Sequence, residues 1–197
     1  HPTCINDRGS VVFTLSYARK LFSFHEDLAV FQDSSKKYGY VNPHGQVVIA
    51  PIYEDALSFS EDLAPVKIGG KWGYIDKTGK IVISVQFTSA KMFSEGLAAV
   101  SDGYSWGYIS SNGLFEIAPQ FEDAESFLDK TAVVTLSGKK GVINKDGKFE
   151  INPIYDALSD FYNGYALMQL RENYGYVDTK GAMAINAQFA QATDFLG

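Results

Sequence analysis

The stretch "KWGYIDKTGK", residues 71–80, decides the fold because closely similar stretches follow one another along the chain at a fixed spacing. They are "YGYVNPHG" at 38–45, "WGYISSNG" at 106–113, "KGVINKDG" at 140–147 and "YGYVDTKG" at 174–181. The glycine after the aromatic residue returns every 34 residues, and the glycine of the following turn keeps the same step. A period of this length indicates a repeat architecture in which each unit is one small supersecondary structure.

Other positions of the unit also keep their residue type. The residues of the repeated motif are Tyr38, Gly39, Tyr40, Trp72, Gly73, Tyr74, Trp106, Gly107, Tyr108, Gly141, Tyr174, Gly175 and Tyr176, with a phenylalanine column at Phe59, Phe93, Phe127, Phe161 and Phe195. In the fourth unit Lys140 and Val142 replace the aromatic residues, so we expect weaker local packing there. We interpret the aromatic and glycine columns as core and spacing elements of stacked units.

The sequence of each unit predicts short β-strands joined by tight turns. "LAPVKI" at 63–68 and "WGYID" at 72–76 flank "GGK", and "KIVIS" at 80–84 follows "KTG". Asp76 precedes the turn glycine by three residues, where its side chain can cap the turn. Because neighbouring residues of a strand point to opposite faces, Trp72 and Tyr74 share one face, and Gly73 permits a bulge or another backbone to approach. The connection that follows lacks a helical stripe and predicts irregular or short β structure.

Composition limits the class of protein. The chain has 197 residues, 46% of them apolar and 20% charged, and a formal charge of −6 argues against a broad nucleic-acid footprint. A single cysteine, Cys4, excludes an intramolecular disulfide, and His1, His25 and His44 lack the spacing of a metal site. The sequence therefore predicts no catalytic, cofactor-binding or metal-binding residue, and no membrane-spanning segment.

The motif "KWGYID…G" resembles the WG repeat of bacterial proteins, with five full copies and a partial copy at the N-terminus, where "INDRGSVVF" at 5–13 parallels "VNPHGQVVI". The resemblance implies an all-β array of consecutive hairpins stacked into an open, curved disc or solenoid, and a role as an interaction module. We treat residues 1–197 as one array, with a partial unit at 1–27, units at about 28–62, 63–96, 97–130 and 131–164, and an incomplete unit at 165–197.

The two ends together lack two strands of a unit, so we expect an open array rather than a closed ring. We also expect the chain, which starts "HPTC", to be a fragment of a larger protein. Its compartment, the bacterial cytoplasm or the cell envelope, is left open.

Carboxylates recur in the connections and would form an acidic ridge on a stacked array. Its members are Glu26, Glu61, Glu95 and Asp129. One interpretation is a solvated rim whose charges discourage edge pairing, and the other is a groove for a basic peptide.

Two functions remain open at this point. The first is a non-catalytic interaction scaffold that binds protein or peptide partners or, as the family resemblance implies, serves as an appended module of a larger bacterial protein. The second is recognition of RNA, as a module beside an aminoacyl-tRNA synthetase, or of a cell-surface glycan through exposed aromatic rings. Burial of Trp72 and Trp106 would favour the first.

Overall fold

The computed structural model describes residues 2–5, 8 and 10–193, and within them the chain consists of β-strands and turns without a helix. An N-terminal strand pair consists of β1 (Thr3–Ile5) and β2 (Val11–Thr14). The remaining strands form five antiparallel sheets of four strands each. The predicted all-β repeat fold is therefore confirmed.

The sheets follow one another in chain order. Sheet 1 contains β3 (Ala18–His25), β4 (Leu28–Asp33), β5 (Tyr38–Val41) and β6 (Val47–Tyr53). Sheet 2 contains β7 (Asp55–Ala56), β8 (Ala64–Ile68), β9 (Lys71–Ile75) and β10 (Ile81–Phe87). Sheet 3 contains β11 (Ser89–Ala90), β12 (Leu97–Ser101), β13 (Trp106–Ser110) and β14 (Phe115–Phe121). Sheet 4 contains β15 (Asp123–Ala124), β16 (Thr131–Leu136), β17 (Lys139–Asn144) and β18 (Phe149–Tyr155). Sheet 5 contains β19 (Ala157–Leu158), β20 (Tyr165–Leu170), β21 (Asn173–Asp178) and β22 (Met183–Phe189).

The connection between sheets is a single residue. The last strand of each sheet lies at its edge, and one residue, such as Glu54 between β6 and β7, leads into the first strand of the next sheet. Each sheet after the first therefore draws its short first strand from the preceding sequence unit. Within the described residues, no core cluster joins sheet 5 to sheet 1, and Ile185 and Phe189 of sheet 5 stay exposed, so the array is open, as predicted.

The turns form where the sequence predicted them. The Asp76 side chain accepts hydrogen bonds from the backbone N–H groups of Thr78, at 2.9 Å, and Lys80, at 3.1 Å. Asn42, Asn144 and Asp178 cap the equivalent turns. Gly69 and Gly70 both have positive φ in the β8–β9 hairpin, as a tight two-residue turn requires. The predicted turn chemistry is confirmed.

The core lies between consecutive sheets. We call the side of a sheet that meets the next sheet its forward face and the other side its backward face. Tyr74, Ile83 and Phe87 on the forward face of sheet 2 pack against the backward face of sheet 3. The other interfaces repeat this arrangement, and the backward face of sheet 1 is covered by Phe13 of the N-terminal strand pair and by Leu15, which follows β2. Trp72 packs at the edge of the same cluster as Tyr74, so the two residues share a face as predicted.

The ring contacts join a tyrosine to a phenylalanine of the following connection. Tyr74 and Phe93 meet edge to face with 5.0 Å between ring centroids, and two further pairs have centroid distances of 4.9 and 4.8 Å. Such pairs add roughly 0.5–1.5 kcal/mol beyond the area that they bury. In the fourth unit Phe161 is only partly buried, whereas Val142 is 1% exposed, so the weaker packing expected there stays a prediction. Phe195 lies outside the described residues.

The glycine after the aromatic residue accommodates a bulge. In sheet 3, Trp106 pairs with Phe121 and Tyr108 with Ile117, so Gly107 stands opposite three residues of β14. A Cβ at Gly107 would lie 2.6 Å from the Ile117 carbonyl oxygen and 2.7 Å from the Pro119 nitrogen. Because both atoms belong to the backbone, no side-chain rotation could relieve the clash. The expected close approach of another backbone is confirmed.

Gly107→Ala is therefore expected to lower the free energy of unfolding by about 2–3 kcal/mol, the cost of overpacking a rigid site. Urea denaturation measures the loss. Gly96→Ala is the matched control, because a Cβ there meets no atom within 4 Å, although φ is +87°. It should cost only about 1 kcal/mol for the left-handed backbone. Equal losses in the two variants would contradict the assignment of Gly107 to a close-approach position.

Candidate interaction surface

The predicted acidic column occupies tight turns at one end of the strands. Ser60 and Leu63 exchange backbone hydrogen bonds of 3.0 and 3.2 Å around Glu61 and Asp62, whose φ values are 56° and 65°. Two successive positive φ values define a type I′ turn, and glutamate rarely adopts this conformation. Glu26, Glu95 and Asp129 hold the same position in their own units.

Three of these carboxylates bind the following turn. Glu26 accepts hydrogen bonds from the backbone N–H groups of Glu61, at 2.6 Å, and Asp62, at 3.0 Å. Glu61 accepts one from Gly96 at 2.9 Å, and Glu95 accepts one from Lys130 at 3.0 Å. We call this chain of contacts the carboxylate ladder. It satisfies backbone donors that a tight turn would otherwise leave to solvent.

Lysine side chains neutralise part of the ladder. Lys77 Nζ lies 3.2 Å from a Glu26 carboxylate oxygen and 2.7 Å from Asp62, and Lys145 Nζ lies 3.1 Å from Glu95. The ridge is thus a structural ladder of mixed charge. Open clefts of about 530 and 390 Å³ adjoin it, beside Lys77 and Lys145 respectively. Its use as a groove for a basic peptide stays a prediction.

The repeated tyrosines are structural. The hydroxyls of Tyr40, Tyr74 and Tyr108 donate to the backbone carbonyls of residues 57, 91 and 125, each at 2.8 Å. All three side chains are fully buried, and burial raises the pKa of their hydroxyls. A neutral hydroxyl donates the bond, and the bond satisfies a carbonyl that lies beside the core.

The first aromatic position of the motif is only partly buried. Tyr38, Trp72, Trp106 and Tyr174 all keep some exposed surface, near the end of the strands opposite the ladder. Lys67 Nζ lies 6.0 Å from the centroid of the Trp72 ring. Lys91 Nζ lies 5.6 Å from the Trp106 ring and also pairs with Glu125. The two tryptophan rings thus pack against the core, and each keeps part of its surface accessible to solvent.

Tyr104 is a surface feature that the repeat pattern conceals. It is 94% exposed, on the β12–β13 turn. Asp102 fixes that turn by accepting hydrogen bonds from the backbone N–H groups of Tyr104, at 2.8 Å, and Ser105, at 2.9 Å. These bonds, from Ser105 and then Tyr104, lower the pKa of Asp102. The signal in the sequence is "DGYS" at 102–105, in which Asp can cap a turn that carries the tyrosine outward.

Large apolar side chains are exposed along the edge strands, a second feature that the sequence analysis did not identify. We call this surface the apolar rim, and its members are Val47, Val48, Ile52, Ile81, Val82, Leu114, Phe115, Ile154 and Met183. Ile52 and Leu114 are the most exposed, at 65% each. The run "VVI" at 47–49 resembles a buried strand, but on this edge strand Val47 and Val48 are 45% exposed and only Ile49 is buried.

The structure shows no arrangement suited to a metal. Among residues 2–5, 8 and 10–193, no three His, Cys, Asp or Glu side chains come together in a way that could hold an ion. Cys4 is partly buried in β1, and His1 lies outside the described residues. In the same part of the chain, no helix has the length and apolar character needed to cross a membrane.

Comparison with known protein families finds one match for each repeat of the motif from residue 38 onward. The profile of the family described as "WG containing repeat" matches residues 38–72, 72–104, 106–139, 141–174 and 174–196. The chain belongs to this family. No curated protein matches the chain by sequence.

Several solved structures are similar to this chain in fold, at low sequence identity. BamB from Moraxella catarrhalis aligns with a TM-score of 0.58 and 10% identity, over 89% of this chain and 66% of that one. A eukaryotic initiation factor aligns with a TM-score of 0.58 and 12% identity, over 89% and 57%. Hsv2 of Kluyveromyces lactis aligns with a TM-score of 0.56 and 9% identity, over 86% and 64%. The chain therefore spans less than two thirds of the length of these proteins, and the likeness concerns the fold alone.

The carboxylate ladder makes stability depend on pH. Burial alone would raise the pKa of Glu95, but the bonds from Lys145 and from the backbone N–H of Lys130 outweigh it and lower the pKa below 4.5. A lowered folded-state pKa gives stability that is present above the ordinary pKa and is lost as the pH falls through the lowered one. Glu95→Gln should therefore reduce stability at neutral pH, by up to about 1 kcal/mol for a partly exposed pair.

The difference between wild type and Glu95→Gln should shrink as the pH falls below 4.5, because protonation removes the same charge. Urea denaturation at a series of pH values measures it. Glu172→Gln, at an exposed site, is the matched control and should change stability little at any pH. A difference for Glu95→Gln that stays constant with pH would contradict the ladder's electrostatic role.

Proposed function

We propose that this WG-repeat array is a non-catalytic scaffold that binds protein or peptide partners. The observation that carries the proposal is the apolar rim, where large side chains remain 44–65% exposed on successive edge strands. Val47, Ile81, Phe115 and Met183 recur at multiples of the 34-residue period, so the exposure is a repeated property of the edge strands and not a scatter of single residues. The family and the stacked β-repeat architecture also suit an interaction module.

The edge strands favour side-chain contact over extension of the sheet. β6, β14 and β18 each carry a bulge and a proline, at Pro51, Pro119 and Pro153, and both features oppose pairing with a further strand. A partner would therefore lie across the exposed side chains of several strands. The 34-residue period repeats this contact from sheet to sheet, which suits an extended or multivalent partner.

Tyr104 offers a second kind of contact. Tyrosine is enriched among the residues that dominate binding energy, and a turn that is already fixed loses little entropy on binding. The charge of −6 favours partners with neutral or basic surfaces over nucleic acids. As such a scaffold, the array would serve as an appended module of a larger bacterial protein.

One observation supports a second candidate, recognition of RNA beside an aminoacyl-tRNA synthetase or of a cell-surface glycan. Trp72 and Trp106 keep exposed edges, and a lysine ammonium lies within 6.0 Å of each ring centroid. Bases and sugars stack on such rings, and stacking of a base contributes roughly 1–3 kcal/mol. Binding to tRNA or to a glycan array that Trp72→Ala weakens would favour this candidate.

The scaffold proposal is tested with a rim variant that carries Val48→Thr, Val82→Thr and Leu114→Thr. Threonine keeps the β-branched shape of Val48 and Val82 in their strands, and Leu114 lies in the turn before β14, so the fold should survive. Wild type and variant are used to capture proteins from a lysate of the source cells, with quantification by mass spectrometry. Partners that use the rim should fall at least fivefold with the variant.

The matched control carries Ile68→Thr and Met92→Thr, which remove exposed apolar side chains outside the rim. It should retain the same partners as wild type, and circular dichroism should show that all three proteins are folded. Equal capture by wild type and rim variant, or no protein retained by wild type, would contradict the proposal.

A further inference from the structure

Two asparagines of the chain are each followed by a glycine, at Asn112–Gly113 and Asn163–Gly164. In such a pair the backbone nitrogen of the glycine can attack the side-chain amide of the asparagine, because glycine has no side chain to obstruct the approach. The reaction converts asparagine, a thermolabile residue, into a mixture of aspartate and isoaspartate. From the sequence alone the two pairs are equally reactive, and the structure distinguishes them.

Both reacting groups of Asn112–Gly113 are held by hydrogen bonds. The Gly113 backbone N–H donates to the Ser110 carbonyl at 2.8 Å. The Asn112 side-chain oxygen accepts hydrogen bonds from the Leu114 N–H and from the Ser110 hydroxyl, both at 2.9 Å. Attack on the side-chain carbon would disrupt these bonds, so the folded hairpin protects this pair.

Asn163–Gly164 occupies the exposed tight turn before β20, at the position that the ladder carboxylates hold in their own units. Tyr162 and Tyr165 close the turn with backbone hydrogen bonds of 2.9 and 3.1 Å, and φ is 50° at Asn163 and 83° at Gly164. Among the described residues, neither the Asn163 side chain nor the Gly164 N–H forms a hydrogen bond. Both reacting groups of this pair are therefore free.

The carboxylate ladder explains why the Gly164 N–H is free. At the equivalent position, the N–H groups of Asp62, Gly96 and Lys130 each donate to a glutamate of the preceding turn, at 2.9–3.0 Å. The corresponding residue before Gly164 is Asp129, whose side chain is one methylene shorter than that of glutamate. In the part of the chain that the structure describes, Asp129 accepts no hydrogen bond from the turn at 163–164. The ladder thus stops short of this turn.

We propose that Asn163 is a deamidation site of the folded protein, left open because the carboxylate ladder does not reach Gly164. The Gly164 nitrogen loses its proton to a base in the solvent and bonds to Asn163 Cγ, and the side-chain nitrogen leaves as ammonia. Water then opens the resulting succinimide ring at either of its two carbonyls, which gives aspartate or isoaspartate. Each event consumes one water and releases one ammonia, and it requires no oxidant, reductant or enzyme.

The modification changes both the charge and the backbone of the turn. It adds a carboxylate to the acidic column of Glu26, Glu61, Glu95 and Asp129. Isoaspartate also inserts a methylene into the backbone between the two residues whose hydrogen bonds close the turn. We therefore expect the aspartate form to retain the turn and the isoaspartate form to weaken the pairing of β19 with β20.

The test follows both asparagines in the whole chain during prolonged incubation at mildly alkaline pH, which favours the deprotonated glycine nitrogen. Peptide mass spectrometry measures the rate of conversion at each site, and methyl transfer by an isoaspartyl methyltransferase detects isoaspartate. In the folded protein, Asn163 should convert at least tenfold faster than Asn112. In urea, where the hydrogen bonds of Asn112 and Gly113 are lost, the two rates should agree within twofold.

Asp129→Glu tests the role of the ladder. Glutamate already occupies the equivalent positions 26, 61 and 95 with φ of 50–56°, so the variant should fold. Its longer side chain should bind the Gly164 N–H and slow the conversion of Asn163 at least threefold, without a change at Asn112. Asp27→Glu is the matched control, because Asp27 lies in an exposed turn of the same type between β3 and β4, and both rates should equal those of wild type.

Faster conversion of Asn163 in the folded protein, slowed by Asp129→Glu, supports the proposal. Equal rates at the two sites, faster conversion of Asn112, or no conversion of the folded protein would overturn it. A rate at Asn163 that a folded Asp129→Glu variant leaves unchanged would overturn it as well. If circular dichroism shows that this variant does not fold, the comparison of native and urea-treated wild type decides.

Discussion

The contact between a turn glycine and the isoleucine of the preceding sheet is the constraint on which the array depends. The turn closes tightly enough that a Cβ at the glycine would stand 3.1–3.3 Å from an isoleucine side-chain atom, and φ near +80° already excludes most other residues. The same contact starts the array, where Gly45 lies against Phe13 of the N-terminal strand pair. It fixes the register of each sheet on the one before, and the tyrosine hydrogen bonds, the ring pairs and the carboxylate ladder follow from that register.

The proposed function depends on the surfaces that stay exposed after the sheets have stacked. In the part of the chain that the structure describes, the two broad faces of each inner sheet are covered by its neighbours, so partners can reach an inner sheet at its edges and turns. The edges carry the apolar rim, and the turns carry Tyr104 and the ladder. An array of this kind interacts with other molecules through its periphery, and its interior is structural.

The sequence predicted the elements that depend on local chemistry. The 34-residue period, the capped turn at Asp76 and the close approach at Gly73 could all be derived, because turn residues and missing side chains impose geometry within a few positions. The ladder could not be derived in the same way. In the sequence nothing distinguishes Glu61 from an ordinary solvated glutamate, and its role is identified by its φ of 56° and its bond to Gly96 in the next unit.

The candidate surfaces were harder to predict than the fold. "VVI" and "IVI" resemble strands of a buried sheet, but only their last residues, Ile49 and Ile83, are buried. The first two residues of each run are exposed because the strand lies at a sheet edge, which is a property of the topology. Trp72 and Trp106 were expected to be either core or binding residues, and the structure makes them partly buried, so a residue can belong to both classes.

The most direct measurement is a set of nuclear Overhauser contacts in protein labelled at the isoleucine methyl groups. The account predicts contacts from Ile49, Ile83, Ile117 and Ile151 to the α-protons of Gly79, Gly113, Gly147 and Gly181, one pair for each interface. Observation of all four contacts would establish the stacking register. Their absence, or contacts from an isoleucine to a glycine two units away, would contradict the stacked array and everything derived from it.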